Sequence, residues 1–196
     1  MKHDDAENRA AERIVLGAFE KLTGRAGEPL RYVMMEDTPV GTLGLAATGA
    51  GLCRLQFATG EDDFLARLLR IHGERPVMKS GALDKQRRAL DRYFAGKRLD
   101  FEDVEVDLSE VSGFSQKILR ATARIPAGHV LTYAQVAAKA GSPRAMRAAG
   151  NALHNNPVAI VVPCHRVLRT DGTLGGYGGG VPNKEWLLRH EGATLL

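Results

Sequence analysis

The spacing of apolar residues changes along the chain, and this change constrains the fold more than any other feature. Between Arg31 and Phe57 the apolar residues come in short runs, separated by the turn-forming segments Pro39–Gly41 and Thr48–Gly51. Such runs predict strands that are close enough in sequence to form a small antiparallel sheet. The three strands are expected at Arg31–Met35, Gly41–Ala47 and Gly51–Phe57.

Helical spacing occurs on both sides of this region. It predicts an N-terminal helix over Asp5–Leu22 and further helices over Asp62–Ile71 and Gly81–Phe94. Ser115 stands directly before Gln116–Ala123, as an N-cap residue does, so a helix is expected there too. The predicted fold class is therefore α+β, a small antiparallel sheet with helices followed by a mostly helical region.

Length and composition predict two domains and an extension. A chain of 196 residues with 44% hydrophobic side chains can bury two small cores. The acidic stretch Asp100–Glu110 interrupts the helical pattern, and we interpret it as a solvated linker at the domain boundary. The predicted division is a helical extension at residues 1–25, an α/β domain at residues 26–110 and a second domain at residues 111–196.

Charge is distributed unevenly between the two halves. Gly113–Leu196 holds 10 Lys/Arg against 3 Asp/Glu, a net charge of +7, whereas Met1–Ser112 has a net charge of −3. A basic half beside an acidic one suggests a face that binds a polyanion such as nucleic acid. An ordinary solvated basic surface is the alternative.

Cysteine usage and hydropathy point to the cytoplasm. Cys53 and Cys164 are the two cysteines, far apart and outside any Cys-x-x-Cys or Cys/His cluster, so neither a disulfide framework nor a metal site is expected. The start Met1–Glu7 is unlike a signal peptide, and no apolar run approaches the roughly 18 residues of a membrane span. We expect a reduced, intracellular, cytoplasmic protein without a membrane partner.

A helix-turn-helix is predicted in the basic half. Thr132 is a suitable cap for a helix over Tyr133–Ala140 that stops at Gly141, and Ser142-Pro143 then starts a second helix over Arg144–Leu153. Alone this is a weak signal for DNA binding, since many helical folds contain such pairs.

The second predicted helix has one apolar face and one face that suits a DNA groove. Its small residues allow a close approach, and Arg147 and Arg144 are candidates for contacts with phosphates or bases. The residues grouped on this face by helical spacing are Arg147, Gly150, Asn151 and His154. The alternative is that the small residues only allow close helix packing within the protein.

Cys164 is the candidate nucleophile. It follows the apolar run Val158–Val162 and Pro163, which should end a strand there, and it precedes His165 and Arg166. An imidazole or guanidinium beside a thiol favours the thiolate, the nucleophilic form. The alternative is a small buried hydrophobic residue.

Several motifs occur in a characteristic order. They are the helix-turn-helix with Tyr133 and Arg147, Asn156-Pro157, Pro163–Val167, Tyr177 and Lys184–Gly192. Together they resemble the O6-alkylguanine-DNA alkyltransferase family, also called methylated-DNA–protein-cysteine methyltransferases. The resemblance is close over Phe114–Gly192. Thr38–Gly41 and the sheet after it resemble the more variable N-terminal domain of that family, and Met1–Arg25 aligns with nothing.

The resemblance implies direct-reversal DNA repair. In that family a damaged base is flipped out of double-stranded DNA, which is bound through its minor groove, and a cysteine takes the alkyl group from O6 of guanine. Here the acceptor would be Cys164, with O4-alkylthymine as a further substrate. A thioether has no easy hydrolytic exit, so the resemblance implies a single turnover, and it implies no cofactor.

The family's site residues carry over position by position. His165 would act on the thiol through a water and Glu191 would hydrogen-bond His165, in a relay similar in role to hydrolase triads. Tyr133 would give a proton to the leaving guanine, and Asn156 would tie the turn before the cysteine to the helix-turn-helix. The matching DNA-binding residues are Arg147, which would intercalate, with Arg144, Tyr133, Gly150 and Asn151. The matching pocket residues are Leu153, the backbone of Val167, Tyr177 and Gly178.

Two other functions stay open on sequence alone. A lesion-binding protein without transfer activity would lack the cysteine, so Cys164 argues against it. A cysteine hydrolase would leave the helix-turn-helix unexplained.

A phosphate cradle in Gly175–Gly180 is discounted because no Gly-Lys-Ser/Thr end follows. We expect a monomer in solution, with clustering of copies on DNA left open.

Overall fold

The first part of the chain folds as a four-stranded sheet in a computed structural model that describes residues 29–73 and 75–193. Strands β1 (Leu30–Thr38), β2 (Gly41–Thr48) and β3 (Gly51–Phe57) are antiparallel neighbours, as predicted. A short strand β4 (Val77–Lys79) pairs with β1 in parallel, so the sheet is mixed. Three residues are too few to give a sequence pattern. The helix predicted at Asp5–Leu22 lies outside the described residues.

Helices cover both faces of the sheet. Helix α1 (Glu61–His72) places Phe64 and Leu68 in a core with residues of β1, β2 and β3. A single 3-10 turn, Gly81–Leu83, leads into α2 (Asp84–Phe94), whose buried residues join the core on the other side. Both predicted helices are therefore confirmed, with bounds that differ from the prediction by at most three residues.

The acidic stretch after α2 pairs with the sheet and is not a solvated linker. The Leu52 amide donates to the carbonyl of Glu105 at 2.8 Å, and the Asp107 amide donates to the carbonyl of Leu52 at 2.9 Å. A Cβ at Gly51 would lie 2.6 Å from the Glu105 carbonyl oxygen, so glycine permits this close approach. The prediction failed because backbone pairing does not depend on the charge of the side chains.

The second part of the described chain is mostly helical. Helix α3 (Gly113–Ala123) has its N-cap at Ser112, where the side chain accepts from the Ser115 amide, and not at Ser115 as predicted. Both serines suit a cap, and the earlier one allows a longer helix. The remaining elements are α4 (Tyr133–Lys139), α5 (Met146–His154), α6 (Val181–His190) and the parallel pair β5 (Leu131–Thr132) and β6 (Val167–Leu168).

Helices α4 and α5 form the predicted helix-turn-helix pair. Thr132 caps α4 in a capping box with Gln135, and Gly141 follows the end of α4 with φ of 78°. Helix α5 begins at Met146, two residues later than predicted, because the Ala145 amide donates to Ser142 and closes a turn first. Arg144 therefore lies in the turn and not on the helix.

One continuous core joins the sheet to the C-terminal helices. It includes Leu45 and Leu55 of the sheet, Tyr93 of α2, Ile118 of α3 and Leu187 of α6, all fully buried. The packing places β3 against the segment that leads to Cys164, where Leu55 forms a bridge with Val158. The division of the chain near residue 110 stays a prediction. None of the described helices is long and apolar enough to span a membrane.

Candidate active site

Cys164 follows two tight turns of the chain. The segment Val158–Val162 is not the predicted strand, because Val158 forms one bridge to Leu55 and the chain then reverses at Ile160, where φ is 70°. A second tight turn follows at Pro163, across which the Cys164 amide donates to the carbonyl of Val162 at 2.8 Å. Cys164 then opens the 3-10 turn Cys164–Arg166 and is partly exposed.

Asn156 braces this turn with three hydrogen bonds. Its Nδ2 donates to the carbonyl of Val162 at 2.8 Å and to Cys164 Sγ at 3.2 Å. Its Oδ1 accepts from the Val158 amide at 3.1 Å. Because α5 ends two residues earlier, Asn156 connects the helix-turn-helix to the thiol. This placement agrees with the role that the family resemblance implies.

His165, the residue after Cys164, forms a buried pair with Glu191. His165 is fully buried, and its Nε2 lies 2.8 Å from Glu191 Oε1 at the C-terminal end of α6. Among the described residues, Nδ1 of His165 has no hydrogen-bond partner. An Nε2–H donated to the carboxylate leaves Nδ1 as the proton acceptor of a neutral imidazole. The pair has the arrangement of a general base and its orienting acid.

Arg166 binds the carboxylate of Glu191 and not the thiol of Cys164. Its Nε donates to Glu191 Oε2 and its Nη2 donates to Glu191 Oε1, both at 2.8 Å, while Nη1 donates to the carbonyl of Ile125. The expectation that this guanidinium activates Cys164 is therefore wrong. A 3-10 turn has three residues per turn, so Arg166, two residues after Cys164, lies on a different side of the turn from the thiol.

The electrostatic surroundings keep His165, the candidate base, neutral and keep Glu191 ionised. Burial lowers the pKa of His165, partly opposed by Glu191. Burial alone would raise the pKa of Glu191, but the hydrogen bonds and charges of His165 and Arg166 outweigh it and lower the pKa to about 2. Burial raises the pKa of Cys164, partly opposed by the Asn156 hydrogen bond and the Lys184 charge. The resting group is thus a thiol, which needs a base.

Lys184 is a site residue that sequence reasoning missed. Its ammonium group is fully buried and donates to the carbonyls of Val167, at 2.6 Å, and of Leu174. Burial lowers the pKa of Lys184 to about 8, and the nearby Cys164 partly opposes this. A lysine in the first turn of a helix gives no sequence signal of burial, because such positions are usually solvated.

A cavity of about 270 Å³ opens over the thiol. Six predicted site residues line it together: Tyr133, Leu153, Asn156, Cys164, Tyr177 and Gly178. Val167 does not line it in the described structure, which corrects that prediction, since its carbonyl is engaged by Lys184. The first part of the chain contributes four residues that were not predicted: Leu55, Gln56 and Phe57 of β3 and Arg67 of α1.

The glycine-rich loop packs against the sheet. Tyr177 meets Phe57 edge to face, with ring centroids 5.5 Å apart, and meets His165 similarly at 6.3 Å. A Cβ at Gly179 would lie 2.5 Å from the Phe57 ring, so only glycine fits there. A Cβ at Gly178 would meet nothing within 4 Å. The wall beside Gly178 therefore has room for a ligand group.

Four of the predicted DNA-binding residues lie on α5 or in the turn before it. Arg144, Arg147 and Asn151 are exposed, and Gly150 packs against the Tyr133 ring, which a Cβ would approach to 3.9 Å. Leu153 and His154, at the end of α5, line the cavity itself. Helix α5, which carries Arg147 and follows the turn with Arg144, thus ends at the cavity that holds the thiol.

The arrangement suits attack by sulfur on a carbon atom brought into the cavity. It supplies a thiol, a neutral base, an ionised carboxylate and a tyrosine hydroxyl. Burial raises the pKa of Tyr133, so its hydroxyl keeps its proton at neutral pH. No group of three or more His, Cys, Asp or Glu within residues 29–73 and 75–193 could hold a metal ion.

Two family models match most of the chain. Residues 113–193 match the model of the 6-O-methylguanine DNA methyltransferase DNA-binding domain. Residues 30–108 match the model of the ribonuclease-like domain of the same family.

Similar proteins carry the corresponding name. A methylated-DNA–protein-cysteine methyltransferase of Salmonella typhimurium is 49% identical over 107 residues, which cover 55% of this chain and 62% of that protein. One of Mycobacterium bovis is 41% identical over 156 residues, which cover 79% of this chain and 88% of that protein. The solved structure of Mycobacterium tuberculosis OGT in complex with DNA has a TM-score of 0.71 at 36% identity, covering 83% of this chain and 92% of that one.

Proposed function

Because the chain belongs to the 6-O-methylguanine DNA methyltransferase family, we propose that it repairs DNA by transferring the alkyl group of O6-alkylguanine to Cys164. The observation that carries this proposal is the position of the thiol. Cys164 lines a cavity large enough for a single base, and the residue after it, His165, is paired with Glu191 in the protein interior. We include O4-alkylthymine in the proposal, because thymine is smaller than guanine and a cavity of this size supports entry of either base.

The reaction is a displacement at the alkyl carbon. His165 Nδ1 takes the thiol proton, directly or through a water, and Glu191 stabilises the resulting imidazolium. Cys164 Sγ bonds to the alkyl carbon as the bond from that carbon to O6 breaks, and the electron pair stays on the guanine. Tyr133, which lines the same cavity, donates a proton to the leaving guanine. The raised pKa of the resting thiol explains why the base is needed.

The product explains why the reaction is expected to occur once per molecule. The sulfur becomes a thioether, and hydrolysis of a carbon–sulfur bond of this kind needs chemistry that the cavity does not offer. The protein would therefore act as a stoichiometric reagent without a cofactor. The transfer would be that of a methylated-DNA–protein-cysteine S-methyltransferase.

Double-stranded DNA is the proposed partner, bound along α5 through its minor groove. An alkyl carbon within stacked bases is out of line for attack by Cys164, so the base must first be flipped out. Arg147 is exposed on α5, one helical turn or more from Leu153 and His154 at the cavity. We propose that its side chain fills the space that the base leaves.

Replacing Arg147 is expected to slow transfer from duplex DNA but not from a free base. Unstacking a base costs a few kcal/mol, so Arg147→Ala should slow transfer from a methylated duplex by about tenfold or more. Reaction with free O6-benzylguanine, which needs no flipping, should be unchanged. Rates are measured by rapid quench on both substrates.

Arg120→Ala is the matched control for Arg147→Ala. Arg120 is an exposed arginine of α3 whose loss removes the same charge away from α5. It should leave both rates close to wild type. Equal losses on duplex and free base in Arg147→Ala would remove the case for an intercalating role.

Phe57 is expected to limit the size of the alkyl group. It lines the cavity from β3 and packs on Tyr177, so Phe57→Ala should enlarge the pocket. The ratio of rates for benzyl over methyl at O6 should rise by about tenfold, with Phe57→Leu in between. An unchanged ratio in competition experiments with free bases would show that the sheet does not contribute to selectivity.

The proposal is tested on the DNA product. A duplex with one O6-methylguanine is incubated with increasing protein, digested to nucleosides and analysed by chromatography. We expect guanine to be restored up to one equivalent of protein and no further. Repair that continues beyond one equivalent would contradict single turnover, and binding without repair would indicate a lesion-binding protein.

A further inference from the structure

The carboxylate of Glu191 has a partner from the first part of the chain. Tyr93 of α2 donates its hydroxyl to Glu191 Oε1 at 2.6 Å, and Tyr93 is fully buried. The same oxygen accepts from His165 Nε2 at 2.8 Å. The proposed chemistry assigns no role to Tyr93.

Tyr93 contacts the end of α6 a second time. Its carbonyl oxygen lies 2.6 Å from Nε2 of His190, the residue before Glu191, and its ring meets His190 edge to face at 5.2 Å. Phe101 packs on the other part of the ring, with centroids 5.1 Å apart. Tyr93 is therefore held in one orientation, and its hydroxyl cannot turn from Glu191 to water.

Glu191 does not need Tyr93 in order to stay ionised. Arg166 already binds both carboxylate oxygens, which is the strongest arrangement for a buried ion pair. The Tyr93 hydroxyl instead competes with His165 for Oε1. An oxygen that accepts one more short hydrogen bond has less electron density to offer each of its other donors.

We propose that Tyr93 is a positioning residue of the relay, whose hydroxyl limits how strongly Glu191 holds the His165 proton and so sets the basicity of the imidazole behind Cys164. The inference rests on the proposed function of His165 as the base. It makes helix α2, which lies in the first part of the chain, a component of thiol activation.

The effect of Tyr93 on His165 can be measured only if the charges of the other groups around His165 are unchanged. The titratable and charged groups that face the His165–Glu191 pair come from four places in the fold: Tyr93 in α2, Cys164 and Arg166 beside His165, Tyr177 in the glycine-rich loop and Lys184 in α6. Tyr93→Phe removes one hydroxyl and changes none of the other charges.

The test compares Tyr93→Phe with Tyr32→Phe. Tyr32 of β1 is also buried, and its hydroxyl donates to Glu61 Oε1 of α1 at 2.7 Å, so its replacement removes a similar bond elsewhere. The rate of adduct formation on Cys164 with free O6-benzylguanine is measured from pH 5 to pH 9 by mass spectrometry.

The acid limb of the pH–rate profile reports protonation of His165. With the competing hydroxyl removed, Glu191 should hold the His165 proton more strongly and raise the pKa of the imidazole. In Tyr93→Phe the limb should therefore move to higher pH by roughly half a unit. Tyr32→Phe should keep the wild-type profile, whatever its melting temperature.

A profile of Tyr93→Phe that superimposes on wild type would overturn the inference and leave the proposed function intact. If wild-type protein forms no adduct on Cys164, the proposed function and this inference both fail. If Tyr93→Phe does not fold, 3,5-difluorotyrosine is introduced at position 93, since it is a stronger donor of similar shape. The acid limb should then move to lower pH, and an unmoved limb would again overturn the inference.

Discussion

Cys164→Ala is expected to abolish alkyl transfer while the protein still binds alkylated DNA. The variant removes the only atom that can accept the alkyl group in the proposed reaction, so the rate should fall by at least about 1,000-fold. Folding should be preserved, because Cys164 is partly exposed at the cavity and an alanine fits its turn. Transfer is measured with a methylated duplex, and binding is measured on the same duplex by fluorescence anisotropy.

Cys53→Ala is the matched control for this prediction. Cys53 is buried in the sheet, and its thiol donates to the carbonyl of Ala46 at 3.3 Å. Burial raises the pKa of Cys53 to about 11, so its thiol is protonated and unreactive. Transfer should continue at the wild-type rate. Loss of both transfer and binding in Cys164→Ala would instead indicate a structural cysteine.

Glu191→Gln is expected to have the second largest effect. A neutral amide cannot stabilise an imidazolium at His165, so transfer should slow by about 100-fold or more. It also leaves the charge of Arg166 buried without its partner, and the free energy of unfolding should fall by roughly 3–5 kcal/mol. Urea unfolding and single-turnover rates measure the two effects separately.

Glu185→Gln provides the comparison on the same helix. Glu185 lies on the exposed side of α6 and pairs with Arg189 at 2.6 Å, one helical turn away. Exposed pairs of this type contribute at most about 1 kcal/mol. Wild-type transfer is expected in this variant. A Glu191→Gln variant that behaved like Glu185→Gln would contradict the relay.

The same carboxylate gives the protein a defined acid sensitivity. The pKa of Glu191 is lowered from its ordinary value of 4.5 to about 2, so its contribution to stability is complete above pH 4.5 and is lost as the pH falls towards 2. Wild-type unfolding free energy should therefore decrease over that range. In Glu191→Gln the decrease should be smaller, because no carboxylate is protonated there.

The residues that we propose carry the chemistry could be singled out because they belong to short, recognisable motifs. Cys164 and His165 are neighbours in sequence, and the helix-turn-helix is marked by Thr132 and Gly141. Glu191 could be assigned only through the family resemblance, since nothing in its own surroundings distinguishes it from an exposed acid at a helix end. The sheet was predicted because turn formers separate its strands.

The supporting residues could not be predicted, because their roles depend on the tertiary structure. In sequence Lys184 resembles a solvated lysine, but in the structure its ammonium group donates to two backbone carbonyls in the interior. Arg166 stands two residues after the thiol in sequence yet binds Glu191. Tyr93 and Phe57 reach the site from more than 70 residues away in sequence, and no local pattern indicates a contact over that distance.

The most direct test of the account is the mass of the protein after reaction. Protein is mixed with a duplex that contains one O6-methylguanine, and intact and peptide mass spectra are recorded. We predict the gain of a single methyl group on the peptide that contains Cys164, reaching its maximum at one equivalent of duplex. An unmodified Cys164 peptide from protein that has bound the duplex would contradict alkyl transfer as the function of this site.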